Sequence, residues 1–133
     1  MPKMADVAVN GGHMEQGIRD SIEQFVRAGD EQNQDLFLRV THVNFRAVAP
    51  NFPTPGSIAF LERDQFADLL QSRKIGGEVR KIEFLGWEPI GPSAATVRTR
   101  LTGTKLRFEN AFALIKIGDK WQIVQDMAAA SAA

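Results

Sequence analysis

Residues 106–127, LRFENAFALIKIGDKWQIVQDM, decide how this chain is read. Apolar and polar residues alternate on either side of Gly118-Asp119. Glycine takes a positive φ without penalty there, and the resulting twist suits two antiparallel strands. With Gly118 and Asp119 as the loop, Ile117 faces Lys120, Leu114 faces Ile123, Phe112 faces Gln125 and Asn110 faces Met127. Asn110 is then a polar residue on an apolar face.

The preceding strand extends this pattern. A turn at Gly103-Thr104 sets Leu101 opposite Leu106, Thr99 opposite Phe108 and Val97 opposite Asn110, with Arg98 facing Glu109 on the other surface. One sheet face then carries Val97, Thr99, Leu101, Leu106, Phe108, Asn110, Phe112, Leu114, Trp121, Ile123, Gln125 and Met127. The opposite face carries Ala111, Ala113, Ile115, Ile117 and Val124, which is too apolar for a solvated surface. A homodimer through that outer face is the expectation.

Further upstream, strands are expected at Val79–Glu88 and Ala94–Thr102, which completes a four-stranded meander. At Phe84, Leu85, Gly86 and Trp87 the alternation breaks. A bulge at Gly86 explains the break, and it leaves open whether Trp87 faces the inner or the outer surface.

The first half of the chain has helical spacing. Ile18, Ile22, Phe25 and Val26 share one face of a first helix, which is expected to stop at Gly29. Asp30 is placed to cap a shorter second helix bearing Leu36, Phe37 and Val40. A strand over Val43–Ala49 follows. Pro50, Pro53 and Pro55 then break regular structure, a short strand is expected over Ser57–Leu61, and RDQFADLLQS forms a third helix with Phe66, Leu69 and Leu70 inward. Residues 1–12 are expected to be a flexible lead, and 128–133 a tail without assigned structure.

Composition narrows the function. At 133 residues the chain is expected to form one domain with one core. Sixteen basic residues balance sixteen acidic ones, so no net field gathers phosphates, and nucleic acid is not an expected partner. The absence of cysteine removes disulfides, thiolate nucleophiles and cysteine metal sites, and fits a cytoplasmic setting. No stretch reaches the ~20 apolar residues of a membrane helix. Nine phenylalanines and no tyrosine exclude a phenolic proton donor. Two histidines, His13 and His42, lie too far apart for a metal pattern, and no cofactor is expected.

The order of helix, short helix, strand, proline loop, helix and bent meander resembles the nuclear transport factor 2-like superfamily, an α+β cone of cystatin-like type. The residues that carry the likeness are AGDEQNQDLFLRVTHVNF (28–45) and FENAFALIKIGDKWQIV (108–124). Within the superfamily they are most similar to the lumazine-binding-like subfamily, with polyketide-cyclase-like and ketosteroid-isomerase-like proteins sharing the scaffold. The resemblance implies three N-terminal helices packed on a strongly bent antiparallel sheet.

By the same resemblance, His42 takes the place of the family histidine. Asn44 and Asn110 stand where aspartates are usual. Both changes remove a carboxylate, and an amide can only donate and accept hydrogen bonds.

The expected function is therefore a small-molecule-binding domain with a mostly apolar pocket. Asn110, Thr99, Phe108, Phe112, Gln125, Met127 and Trp87 are the candidate ligand-binding residues. One alternative is an isomerase, dehydratase or cyclase that uses His42 as proton shuttle and Asn110 as oxyanion donor. Against that, His42 at the end of the second helix also suits a capping role. The other alternative is a dimeric structural or protein-interaction domain.

Overall fold

The computed structural model describes residues 13–133; the expected flexible lead lies outside these. Three helices, α1 (Gln16–Glu31), α2 (Gln34–Val40) and α3 (Arg63–Gln71), pack on a six-stranded sheet. Its strands are β1 (Thr41–Pro50), β2 (Ile58–Glu62), β3 (Lys81–Pro89), β4 (Ala94–Thr102), β5 (Leu106–Ile117) and β6 (Lys120–Ala132). They lie in the order β2-β1-β6-β5-β4-β3, antiparallel except where β1 runs beside β6. This is the expected α+β architecture, with the helices on the concave face.

The helical face read from spacing is the buried one: Ile18, Ile22, Phe25 and Val26 are all in the core. Phe37 stacks on Phe66 with ring centroids 4.7 Å apart, and Phe25 meets Phe112 edge-on at 5.3 Å. Each such side chain contributes about 1.5–3 kcal/mol when fully buried. Trp121 packs on α1, where Ser21 donates to its backbone carbonyl at 2.9 Å. A side chain at Gly17 would sit against the indole.

Helix ends differ from the expectation. α1 passes through Gly29 and ends at Gln32, which adopts the left-handed conformation at φ 54°. The gap left by Gly29 is filled by the Arg80 guanidinium, and the Gly29 carbonyl accepts from Gly77 N–H at 3.0 Å. Asp30 does not cap α2; its carboxylate binds Arg80 Nε at 2.7 Å. The cap is Asn33, whose side chain accepts from Leu36 N–H at 3.0 Å. His42 caps nothing either, because Thr41 ends α2 and its hydroxyl donates to Phe37 O at 2.8 Å.

Strand registers were half legible. At Gly118-Asp119 the hairpin has the expected pairs Ile117–Lys120 and Leu114–Ile123. Beyond them β6 bulges, so that Ala113 pairs with Gln125 while Leu114 pairs with Ile123, leaving Val124 as the extra residue. Phe112 therefore faces Asp126 rather than Gln125, and Asn110 faces Ala128 rather than Met127. The bulge exchanges faces: Asp126 turns inward and is 5% exposed, while Met127 turns outward and is 48% exposed.

The β4–β5 loop is two residues longer than the expected turn, with Thr102 opposite Arg107, Leu101 opposite Phe108 and Thr99 opposite Asn110. A shift of two preserves the faces. The longer loop is held from outside: the Glu78 carboxylate accepts from Thr104 Oγ1 at 2.6 Å and Lys105 N–H at 2.9 Å. Glu109 then pairs with both Arg98 and Arg100.

A bulge is present before Gly86, as expected, with Phe84 opposite Thr99 and Gly86 opposite Arg98. It turns Trp87 inward to pair with Val97, 7% exposed. Residues 128–132, expected to be an unstructured tail, continue β6 along the start of β5.

Candidate functional site

A cavity of about 120 Å³ lies between the concave sheet face and the helices. Its sheet side is formed by Ala47 and Ala49 of β1, Ala59 and Leu61 of β2, Leu101 of β4, Phe108 and Asn110 of β5, and Asp126 and Ala128 of β6. Phe25 and Gly29 of α1, Phe66 and Leu70 of α3, and Phe52 of the proline loop cover it. Ile75, Gly76 and Arg80 complete the rim. The small alanines of β1, β2 and β6 explain why space remains at this end of the sheet, whereas bulky Phe112, Leu114 and Trp121 fill the other.

Two polar side chains meet in this hydrocarbon enclosure. Asn110, 3% exposed, donates from Nδ2 to Asp126 Oδ1 at 2.8 Å. Its own Oδ1 is buried with no partner among the described residues. Burial pushes the Asp126 carboxyl up to about 6; the Asn110 hydrogen bond and the Arg80 charge pull it back only in part.

Arg80 is committed elsewhere. Besides Asp30, it donates from Nη2 to Val26 O at 3.1 Å, and its guanidinium lies 5.7 Å from the Phe108 ring centre.

The candidate ligand-binding residues divide three ways. Asn110 and Phe108 line the cavity. Thr99, Phe112 and Trp87 are buried in the core but do not line it, and the Thr99 hydroxyl has no partner among the described residues. Gln125 and Met127 are on the outer face because of the β6 bulge. His42 is not among the residues around the cavity; its Nδ1 accepts from Asn44 N–H at 3.0 Å. His42 and Asn110 therefore do not converge on one space.

Sequence reasoning missed Asp126 and Arg80. Asp126 was the available signal, as a carboxylate within an otherwise apolar strand end, but strict alternation turned it outward.

Comparison with solved structures decides the fold. An NTF2-like protein of unknown function from Shewanella baltica superposes with a TM-score of 0.74 at 13% identity, covering 88% of this chain and 93% of that one. The chain has the nuclear transport factor 2-like fold. A ketosteroid isomerase-like protein from Erwinia carotovora atroseptica shares the NTF2-like fold at a TM-score of 0.68 and 15% identity, over 87% of this chain and 95% of that one. A protein of unknown function with a cystatin-like fold from Nostoc punctiforme does so at 0.67 and 13%, over 86% and 89%. No family model and no curated protein matches the sequence. Within the NTF2-like fold, then, what this chain does must be argued from its own cavity.

Proposed function

We propose that this chain is a small-molecule-binding domain, cytoplasmic in setting, whose ligand enters the cavity between the sheet and α1 and α3. The observation that carries the reading is the buried Asn110–Asp126 pair in a space otherwise walled by alanine, leucine and phenylalanine. Buried polar groups in soluble proteins find partners, and Asn110 Oδ1 has none among the described residues. Apolar walls with a few convergent polar groups are the usual make-up of a ligand site. Native mass spectrometry of the purified protein, combined with a thermal-shift screen of one-ring organic compounds, tests it. A bound mass or a saturable rise in melting temperature supports the reading; no shift from any compound overturns it.

A proton-transfer enzyme of the isomerase, dehydratase or cyclase type is the second reading. Asp126 favours it, because a carboxyl pushed up to about 6 in an apolar cavity is suited to taking and returning a proton near neutrality. This carboxylate replaces His42 as the candidate base, with Asn110 as its partner. Deuterium exchange at the α-carbon of a cyclic ketone, lost in Asp126→Asn, is the result that would favour it.

The outer sheet face supports the proposal of a homodimer. Ala111, Ala113, Ile115 and Val124 lie there half-buried, and the β6 bulge adds Met127. Phe60, 62% exposed, extends the same surface through Val48, which pairs with both Phe60 and Met127. Sedimentation velocity across a range of concentrations checks it, with Phe60→Glu expected to yield monomer.

A further inference from the structure

We infer that the cavity takes a small one-ring organic cation, an amine or amidine whose N–H groups bond the Asp126 carboxylate and Asn110 Oδ1 while its ring lies against Phe25, Phe66 and Phe108. The inference rests on the small-molecule reading above and specifies the ligand's chemistry.

The inventory of charge points to it. Among the described residues, Arg80 and Asp126 are the ionisable side chains around the cavity, and Asp30 pairs with Arg80. Arg80 and Asp30 form a closed pair at 2.7 Å, and the remaining reach of Arg80 goes to the Val26 carbonyl. Asp126 has only the Asn110 amide as a hydrogen-bond donor among the described residues. With all three ionised, the group of Asp30, Arg80 and Asp126 carries one net negative charge. A cation entering the cavity balances it, and a buried carboxylate gains most from a partner that is both charged and hydrogen-bonding.

Hydrogen-bond polarity agrees. Asn110 donates one Nδ2 N–H to Asp126, and its Oδ1, an acceptor, is buried without a partner among the described residues. Ionised Asp126 also presents only acceptors. A ligand that satisfies both must bring at least two N–H or O–H donors to one end. A ketone or ester brings none, and a carboxylate would set like charge against Asp126.

Size and wall chemistry set the rest. A dry protein cavity of roughly 150 Å³ accommodates benzene, so about 120 Å³ limits the ligand to one ring at most. Phenylalanine faces attract cations as well as hydrocarbon.

The test is calorimetric titration of the intact protein at pH 8 with benzylamine and benzamidine, set against toluene, phenol and benzoate. The expected result is that the cations bind roughly tenfold or more tighter than toluene or phenol. Benzoate is expected to bind weakest. Asp126→Asn should erase the cation preference while leaving toluene binding in place. A second readout needs no variant: the Asp126 carboxyl carbon resonance should move on benzylamine titration. If toluene, phenol or benzoate binds as tightly as the amines, the cation inference is overturned and the pocket reading stands. If none of the five binds, the pocket reading itself is lost, and this inference with it.

Discussion

Asn110 and Asp126 meet across the β5–β6 ladder although neither is opposite the other. Asn110 pairs in register with Ala128, and Asp126 with Phe112, so the 2.8 Å hydrogen bond between their side chains runs diagonally across the inner face. That diagonal exists because Val124 is the extra residue of the β6 bulge. Without it Asp126 would face outward and Met127 would stand beside Asn110.

Asp126 makes stability depend on pH in a direction opposite to most aspartates. Its carboxyl rises from 3.8 in the unfolded chain to about 6 in the fold. Between these values the folded state holds a proton that the unfolded state has lost, so stability falls as pH rises through this window. The loss is on the order of 3 kcal/mol by pH 7. Asp126→Asn retains shape and an acceptor for Asn110, and should flatten the dependence and be the more stable form above pH 6. Urea denaturation of both proteins from pH 4 to pH 8 measures this.

Removing Arg80 should be costly. Its side chain and that of Asp30 are 14% and 11% exposed, so Arg80→Met leaves a buried carboxylate without a counterion. A penalty of roughly 3–5 kcal/mol follows from breaking one side of such a pair. Adding Asp30→Asn should recover most of it, a coupling that a double-mutant cycle in urea resolves. Arg80→Met alone should also raise the Asp126 carboxyl further, visible in its titration by NMR.

The position of Met127 tests the bulge. An outward side chain at 48% exposure predicts that Met127→Lys changes monomer stability by no more than about 0.5 kcal/mol. Strict alternation would bury that lysine beside Asn110 and unfold the protein. Denaturation at concentrations where ultracentrifugation shows monomer separates the two, and a weakened dimer at higher concentration is expected alongside.

Gly76 has a positive φ of 79°, and an added Cβ would collide with the Gly29 carbonyl oxygen. Gly76→Ala should therefore cost more than the roughly 1–2 kcal/mol of left-handed backbone strain alone. Faster hydrogen exchange at Gly77, whose N–H donates to Gly29 O, is the accompanying signature.

Element types were legible in the sequence because each depends on local periodicity. Spacing in Ile18–Val26 and alternation in Leu106–Ile117 each admit one regular structure with one buried face. The β4–β5 faces also survived a wrong loop length, since an error of two residues leaves every side chain on its own side. The site was harder to see for the same reason: a single extra residue at Val124 inverts the face of all that follows, and no residue near it carries a turn signal. What favours the inversion is tertiary. Asp126 is tolerated inside because Asn110 from β5 and Arg80 just before β3 both act on it, and neither is adjacent to it in sequence. Helix ends were misread in a comparable way, since the reason for Gly29 is the Arg80 guanidinium about fifty residues away.

The parallel pairing of β1 with β6 joins Thr41 to Ile123 and Ala47 to Asp126, partners separated by about eighty residues of chain. Every other strand contact is between sequence neighbours or is made early, so this one seam decides when the molecule is finished. During synthesis β1 can pair with β2 on one edge, but its other edge has no strand to pair with until β6 has left the ribosome. Contacts of such separation form late and slowly. A stalled or truncated chain that ends before Trp121 would have the helices and most of the sheet but no seam, and its phenylalanine cluster would stay open to other nascent chains. Asp126 and Ala128, the β6 part of the cavity wall, are therefore made after every other described residue around the cavity.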